Sequence, residues 1–108
     1  MPTAYKVLGQ VDTSVATEDL LYTTPSLTQT VCSTLSVCNR GTATTFRVRI
    51  RVNNAANDDK QWVCYDAPIA ATDTLLLTFG ATLNAGDTVY VYSASGNVSV
   101  TLFGSEIT

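Results

Sequence analysis

Thr44-Thr45-Phe46-Arg47-Val48-Arg49-Ile50-Arg51-Val52 alternates with a period of two. Phe46, Val48, Ile50 and Val52 fall on one side, and Arg47, Arg49 and Arg51 on the other. Successive side chains leave opposite faces of a β-strand, whereas a helix would scatter both rows around its axis. A slip of one residue would exchange the apolar row for the cationic one, so the register is strongly specified. The stretch therefore predicts a strand with one core face and one exposed face.

The same alternation runs outward in both directions. Upstream, Ala4 to Leu8 is closed by Gly9, and Asp19 to Thr23 is ended by Pro25, which has no N–H for a ladder. Gln29 to Val37 places Gln29, Val31, Ser33, Leu35 and Val37 on one face, opposite Thr30, Cys32, Thr34, Ser36 and Cys38. Asn39-Arg40-Gly41-Thr42 is a turn signal. Downstream, the polar loop Asn53 to Asp59 leads into Lys60 to Tyr65. Thr74 to Phe79 carries apolar residues on both parities, the mark of a strand covered on both faces. Gly80 to Gly86 reads as a short connection, and Thr88 to Tyr92 and Asn97 to Phe103 complete the series. About eight short strands separated by turn chemistry predict an all-β, single-domain antiparallel β-sandwich of jelly-roll type over residues 1–108. Residues 1–4 are expected to form an N-terminal arm.

Composition agrees and excludes several function classes. Eighteen of 108 residues are Thr, with only two Lys and two Glu, so strand formers dominate and charged helix formers are scarce. The chain is 45% hydrophobic and 14% charged, and an average soluble domain is about 25% charged. A net charge of −3 argues against nucleic acid as a partner, because phosphate binding needs a basic field, and against an anionic membrane surface. With no histidine, the commonest general base and metal ligand is missing. The expectation is a non-enzyme with no cofactor and no metal. A surface so poor in charge is expected to be covered by other subunits, with symmetric assembly the natural means.

Cys32, Cys38 and Cys64 are odd in number and carry no CxxC spacing, which points to reduced, partly buried thiols rather than zinc ligands. Cys32 and Cys38, six residues apart on one strand, would lie about 20 Å apart and cannot pair. Pairing of Cys64 with either stays geometrically open. The N-terminal Met-Pro-Thr-Ala-Tyr-Lys has no apolar core of a signal peptide, so a chain made in a cytoplasm and not secreted is expected.

Two groups of residues carry candidate recognition chemistry. Arg40, Arg47, Arg49 and Arg51 concentrate four of the six basic residues in a short stretch. They read either as a docking stripe for a carboxylate-rich partner or as an outer face paired with the protein's own acids. Trp62, Tyr90 and Tyr92, with Tyr65, read either as a stacking platform for sugar or peptide or as core and subunit interface. The Asn53–Asp59 run lacks the ligand spacing of a calcium loop. Asp66, Asp73 and Asp87 sit at strand ends, where Asp caps turns.

Several elements stand out in series: Tyr5-Lys6-Val7-Leu8-Gly9-Gln10, Leu20-Leu21-Tyr22-Thr23 with Pro25, Val37-Cys38-Asn39-Arg40, Asp66-Ala67-Pro68-Ile69-Ala70, Leu83-Asn84-Ala85-Gly86-Asp87, Val89-Tyr90-Val91-Tyr92 and Phe103-Gly104-Ser105-Glu106. Together they resemble small virion structural proteins of tailed bacteriophages. The resemblance spans nearly the whole chain and rests on turn and strand patterns. It implies a non-enzymatic part of the virion. The foremost expectation is a capsid decoration, or cement, protein that binds the assembled head shell as an oligomer, a homotrimer favoured, and stabilises it. The partners would be the major capsid protein and copies of itself. The alternative is a tail, neck or baseplate component, or a receptor- or carbohydrate-binding tip.

Overall fold

In a computed structural model, which describes residues 2–108, the chain forms eight strands. They are β1 (Thr3–Asp12), β2 (Thr17–Thr23), β3 (Gln29–Asn39), β4 (Thr44–Arg51), β5 (Trp62–Ile69), β6 (Thr74–Leu83), β7 (Thr88–Ser93) and β8 (Val98–Ile107). Single 3-10 turns occupy Val52–Asn54 and Asp59–Gln61 between β4 and β5. The strands make two four-stranded sheets, ordered β1-β8-β3-β6 (sheet A) and β2-β7-β4-β5 (sheet B). All ladders between strands are antiparallel. The chain changes sheet at every connection except β4 to β5, the jelly-roll arrangement.

The core lies between the sheets. Leu35, Val37, Val98, Val100 and Leu102 of sheet A meet Phe46, Val48, Val89 and Val91 of sheet B, all buried. These are the inward halves of the alternating patterns, and each such side chain contributes roughly 1.5–3 kcal/mol on leaving water. The β4 pattern holds over Phe46, Val48 and Ile50, but Val52 has left the strand for a 3-10 turn and is exposed.

Departures from simple alternation reshape the faces. In β3 the register skips Ser33, so Thr30 and Cys32 are buried on one side of the bulge and Leu35 and Val37 on the other. The single face expected for Val31, Leu35 and Val37 is thereby broken, leaving Val31 outside. Bulges at Leu8 in β1 and at Phe79–Gly80 in β6 lie on the same transverse line through the sheet. In β5 the register shifts twice, between the partners of Phe46, Val48 and Arg49. Asp66 takes a positive φ of 52° at this point, a conformation that Asp tolerates better than most residues.

Other expectations are corrected by the topology. Gly9 and Gly80 do not end strands; both lie inside them. Gly80 has φ +62°, which a bulge can use and a side chain resists. A Cβ on Gly9 would sit 2.1 Å from the Leu21 carbonyl oxygen, so the absence of a side chain lets β1 cross β2 closely. Thr74 to Phe79 is not covered on both faces: β6 is an edge strand, and Leu76 is 70% exposed. Thr3 and Ala4 form no arm, because they pair with Ile107 and Glu106, and Thr108 N–H donates to the Pro2 carbonyl at 3.0 Å. Met1 lies outside the described residues. All three cysteines are free; Cys32 is buried, and burial pushes its thiol up to about 11.

Candidate functional site

Sheet B brings the arginine row and the aromatic group onto one outer face. The register sets Arg47 beside Tyr92, and Arg49 between Tyr90 of β7 and Trp62 of β5. The double register shift in β5 turns both Trp62 and Tyr65 outward, their rings edge to face at 5.2 Å. Each guanidinium then lies over a ring: Arg49 over Trp62 at 3.8 Å, Arg51 over Tyr90 at 3.9 Å, and Arg47 over Tyr65 at 4.2 Å and Tyr92 at 5.1 Å. Cation–π attraction at such distances grows as water is excluded.

The face supplies its own counter-charges. Glu18 of β2 reaches across β7 to both Arg49 Nε at 2.6 Å and Arg51 Nη2 at 2.9 Å. The Arg49 contact is electrostatic rather than a directed hydrogen bond, since neither atom meets hydrogen-bond geometry. Arg49 also donates from Nη1 to Gln61 Oε1 at 3.1 Å. Gln61 in turn holds the Asn53–Asp59 loop by accepting from Asp58 N–H and donating to the Ala56 carbonyl. Arg47 grips Asp66 through two nitrogens, at 2.7 and 3.3 Å, and holds that carboxyl below the usual carboxylate range. Arg49 is buried and Arg51 nearly so. Of the two readings open from sequence, the row is paired with the protein's own acids. It is also roofed rather than solvated, which corrects the expected exposed face of β4. Within this aromatic group Tyr65 is the most accessible ring, at 58%.

Arg40 does not belong to this row. It follows β3 and donates to Asp12 at 2.6 Å and Ser99 Oγ at 3.1 Å, joining the end of sheet A instead. Asp73 accepts from Thr74 N–H, and Asp87 accepts from Asn84 N–H and Asn53 N–H. These two acids therefore act in turns, and Asp87 fixes the start of the polar loop. Among the described residues, no three His, Cys, Asp or Glu side chains gather as a metal site. Among the same residues, no helix is long and apolar enough to cross a membrane.

The outer face of sheet A was missed as a site from sequence. Tyr5 and Val7 of β1, Val31 of β3 and Phe103 of β8 line a shallow groove of about 600 Å³ with Ser33 and Ser105. Tyr5 is 85% exposed. Lys6, at the rim, turns toward Glu106, 2.8 Å away. Tyr22 links this pair to the interior, donating to Glu106 and bonding Thr30 Oγ1 at 2.8 Å. The Lys6 ammonium, followed by the Tyr22 hydroxyl, holds the Glu106 carboxyl below its usual value. Tyr5 and Val7 share a parity that sequence could have flagged, but Val31 joins them only because Ser33 breaks the β3 pattern. No protein-family model, curated protein or solved structure matches this chain.

Proposed function

We propose that this protein is a bacteriophage virion structural protein, foremost a capsid decoration protein that binds the assembled head shell as an oligomer and stabilises it. The observation that carries the reading is the outer face of sheet A. It presents Tyr5, Val7, Val31 and Phe103 to solvent around a shallow groove with few polar groups. Such a surface suits a broad, flat contact with another protein better than the enclosure of a small molecule. The resemblance of the turn and strand series to small phage virion proteins supports the same reading. The jelly roll is a fold used by viral capsid and lectin domains, although a fold by itself does not fix a function.

Binding to the lattice and not to the free coat subunit would stabilise the shell by mass action. Contacts repeated over many copies multiply weak affinities. Docking then falls to sheet A rather than to the arginine row, because Arg49 and Arg51 are committed to Glu18. The second reading, a tail component or a receptor- or carbohydrate-binding tip, draws on the accessible ring of Tyr65 beside Trp62.

The test is the copy number and position of the chain on purified particles, by imaging reconstruction and gel densitometry against the coat protein. A symmetric shell repeats each docking site, so copies on the order of hundreds over the head are expected. Tyr5→Ser should lower that occupancy. About a dozen copies confined to the tail, the count a rotationally symmetric tail allows, would replace decoration by the second reading. Absence from particles would overturn both.

A further inference from the structure

Four strands form the sheet edges, and three of them carry features that discourage pairing with another chain. β1 bears Lys6 and a bulge at Leu8, and β2 bears Glu18 and Asp19 and a bulge at Leu21. β5 contains Asp66, Pro68 and two register shifts. Charge, proline and bulges are the usual means by which natural edges avoid association. β6 reads Thr-Leu-Leu-Leu-Thr-Phe-Gly-Ala-Thr-Leu, without a charge or a proline. Its one irregularity, at Phe79–Gly80, lies beyond the regular run Thr74–Thr78.

The free edge of that run has a defined hydrogen-bonding parity. Asn39 N–H donates to the Asp73 carbonyl at 2.9 Å, so Asn39 and Asp73 form a hydrogen-bonded pair in the β3–β6 register. On the other side of β3, Arg40 N–H donates to the Asn97 carbonyl at 2.8 Å, with the complementary parity. In an antiparallel ladder the bonded pairs alternate. Leu75 and Leu77 therefore bond inward to β3, and the backbone N–H and C=O groups of Thr74, Leu76 and Thr78 point out of the sheet.

Those outward residues lie in a palindrome, Thr74-Leu75-Leu76-Leu77-Thr78. We infer that β6 pairs with β6 of a second copy, antiparallel, about a two-fold axis at Leu76. Leu76 then faces its own copy, Thr74 faces Thr78 of the other chain, and Leu75 faces Leu77. Every outward N–H and C=O of the run finds a partner, each chain donating three hydrogen bonds and accepting three. The side chains match as well. Leu75 and Leu77, already packed against the core, meet on the inner face, and the exposed Leu76 pair meets on the outer. A residue-centred two-fold requires identical or complementary residues at equal distances from its centre, and this run provides them without an offset. The two sheets A become one continuous eight-stranded sheet. The closed association is two-fold, in place of the three-fold one expected from sequence, and it does not depend on the virion reading.

The experiment is light scattering coupled to gel filtration on the full chain, from micromolar to about 0.5 mM, a range that brackets ordinary self-association. The unsubstituted chain is expected to approach twice 11.5 kDa. Leu76→Lys sets like charges opposite each other at an exposed position and should weaken association on the order of 100-fold, with an unchanged circular dichroism spectrum. Register is read by cysteine placement. Leu76→Cys should be captured as a dimer by a short bifunctional thiol reagent, since paired Cα atoms lie about 5.5 Å apart. Thr78→Cys should not, because its own copy lies about 14 Å along the strand. The unsubstituted chain, with its three native thiols, is the baseline. A monomer throughout, a trimer or an open-ended polymer would each overturn the inference. So would a dimer that is indifferent to Leu76→Lys and escapes capture in the Leu76→Cys variant.

Discussion

The two outer faces of this sandwich are each built from four antiparallel strands, yet they handle their side chains in opposite ways. Sheet B carries three of the six Lys and Arg side chains and encloses them. Arg47, Arg49 and Arg51 lie on aromatic rings and are tied to Glu18 and Asp66. Sheet A presents Tyr5, Val7, Val31 and Phe103 to water, with the Lys6–Glu106 pair as the charge at their rim. Charged sequence therefore marks the closed face here, and apolar sequence the open one. A strand rich in arginine has its charge taken up within its own sheet when the neighbouring strands supply acids and rings at matching heights.

That contrast can be broken most severely at Glu18. Glu18→Ala leaves Arg49 and Arg51 charged, covered and unpaired, and it should destabilise the fold by about 3 kcal/mol in urea unfolding. A loss below about 0.5 kcal/mol would mean that the roof of sheet B is no more than a solvated surface. Next comes Tyr22→Phe, which removes the hydroxyl joining Thr30 and Glu106. It should cost about 1.5 kcal/mol in the same assay, and no cost would remove that hydroxyl from the fold's support.

Acid acts on both faces alike. The folded-state pKa of Glu106 is depressed below its ordinary 4.5, chiefly by the hydrogen bond from Lys6. Its contribution is therefore present above pH ~4.5 and lost as the pH falls through the depressed value. Asp66, held down by Arg47, works in the same direction. Glu106→Gln should flatten the acid limb of a stability–pH curve; an unaltered limb would remove Glu106 from it. The smallest effect belongs to Tyr5→Ser on the open face. Stability should stay within about 0.5 kcal/mol, while binding of an apolar dye falls. A large loss of stability would show that Tyr5 packs as part of the fold rather than standing ready for a partner.

Much of the architecture was legible because β4, β7 and β8 alternate without interruption and turn residues separate the strands. The all-β class, the eight strands and the sandwich follow from those patterns. The faces were less legible. A bulge adds a residue without announcing itself in composition, so Ser33 moved Val31 outward, and the shifts in β5 brought Tyr65 beside Trp62. Arg47, Arg49 and Arg51 were visible as a row and Trp62, Tyr90 and Tyr92 as a group. Their union depended on β4 lying between β7 and β5, a fact of strand order that local sequence does not encode. Arg40 groups with them by nearness in the chain, although β3 ends on the other sheet. Gly9 and Gly80 read as strand ends because glycine weakens a strand interior and so commonly punctuates it; here both lie inside a strand that continues.

Strand order has a further consequence, for the way the chain comes to be folded. β8, the last of the eight strands to be synthesised, lies in the interior of sheet A, hydrogen-bonded on one side to β1 and on the other to β3. β7, made just before it, stands in the same position between β2 and β4. Until these two strands emerge, β1 and β2 have no ladder partner in their own sheets, and residues made first wait for residues made last. Topologies dominated by such distant pairings fold slowly, and a growing chain of this kind cannot settle its sheets piecemeal from the N-terminus. The ladders β3–β6 and β4–β5 join strands made earlier, whereas the places of β1 and β2 are closed only by β8 and β7.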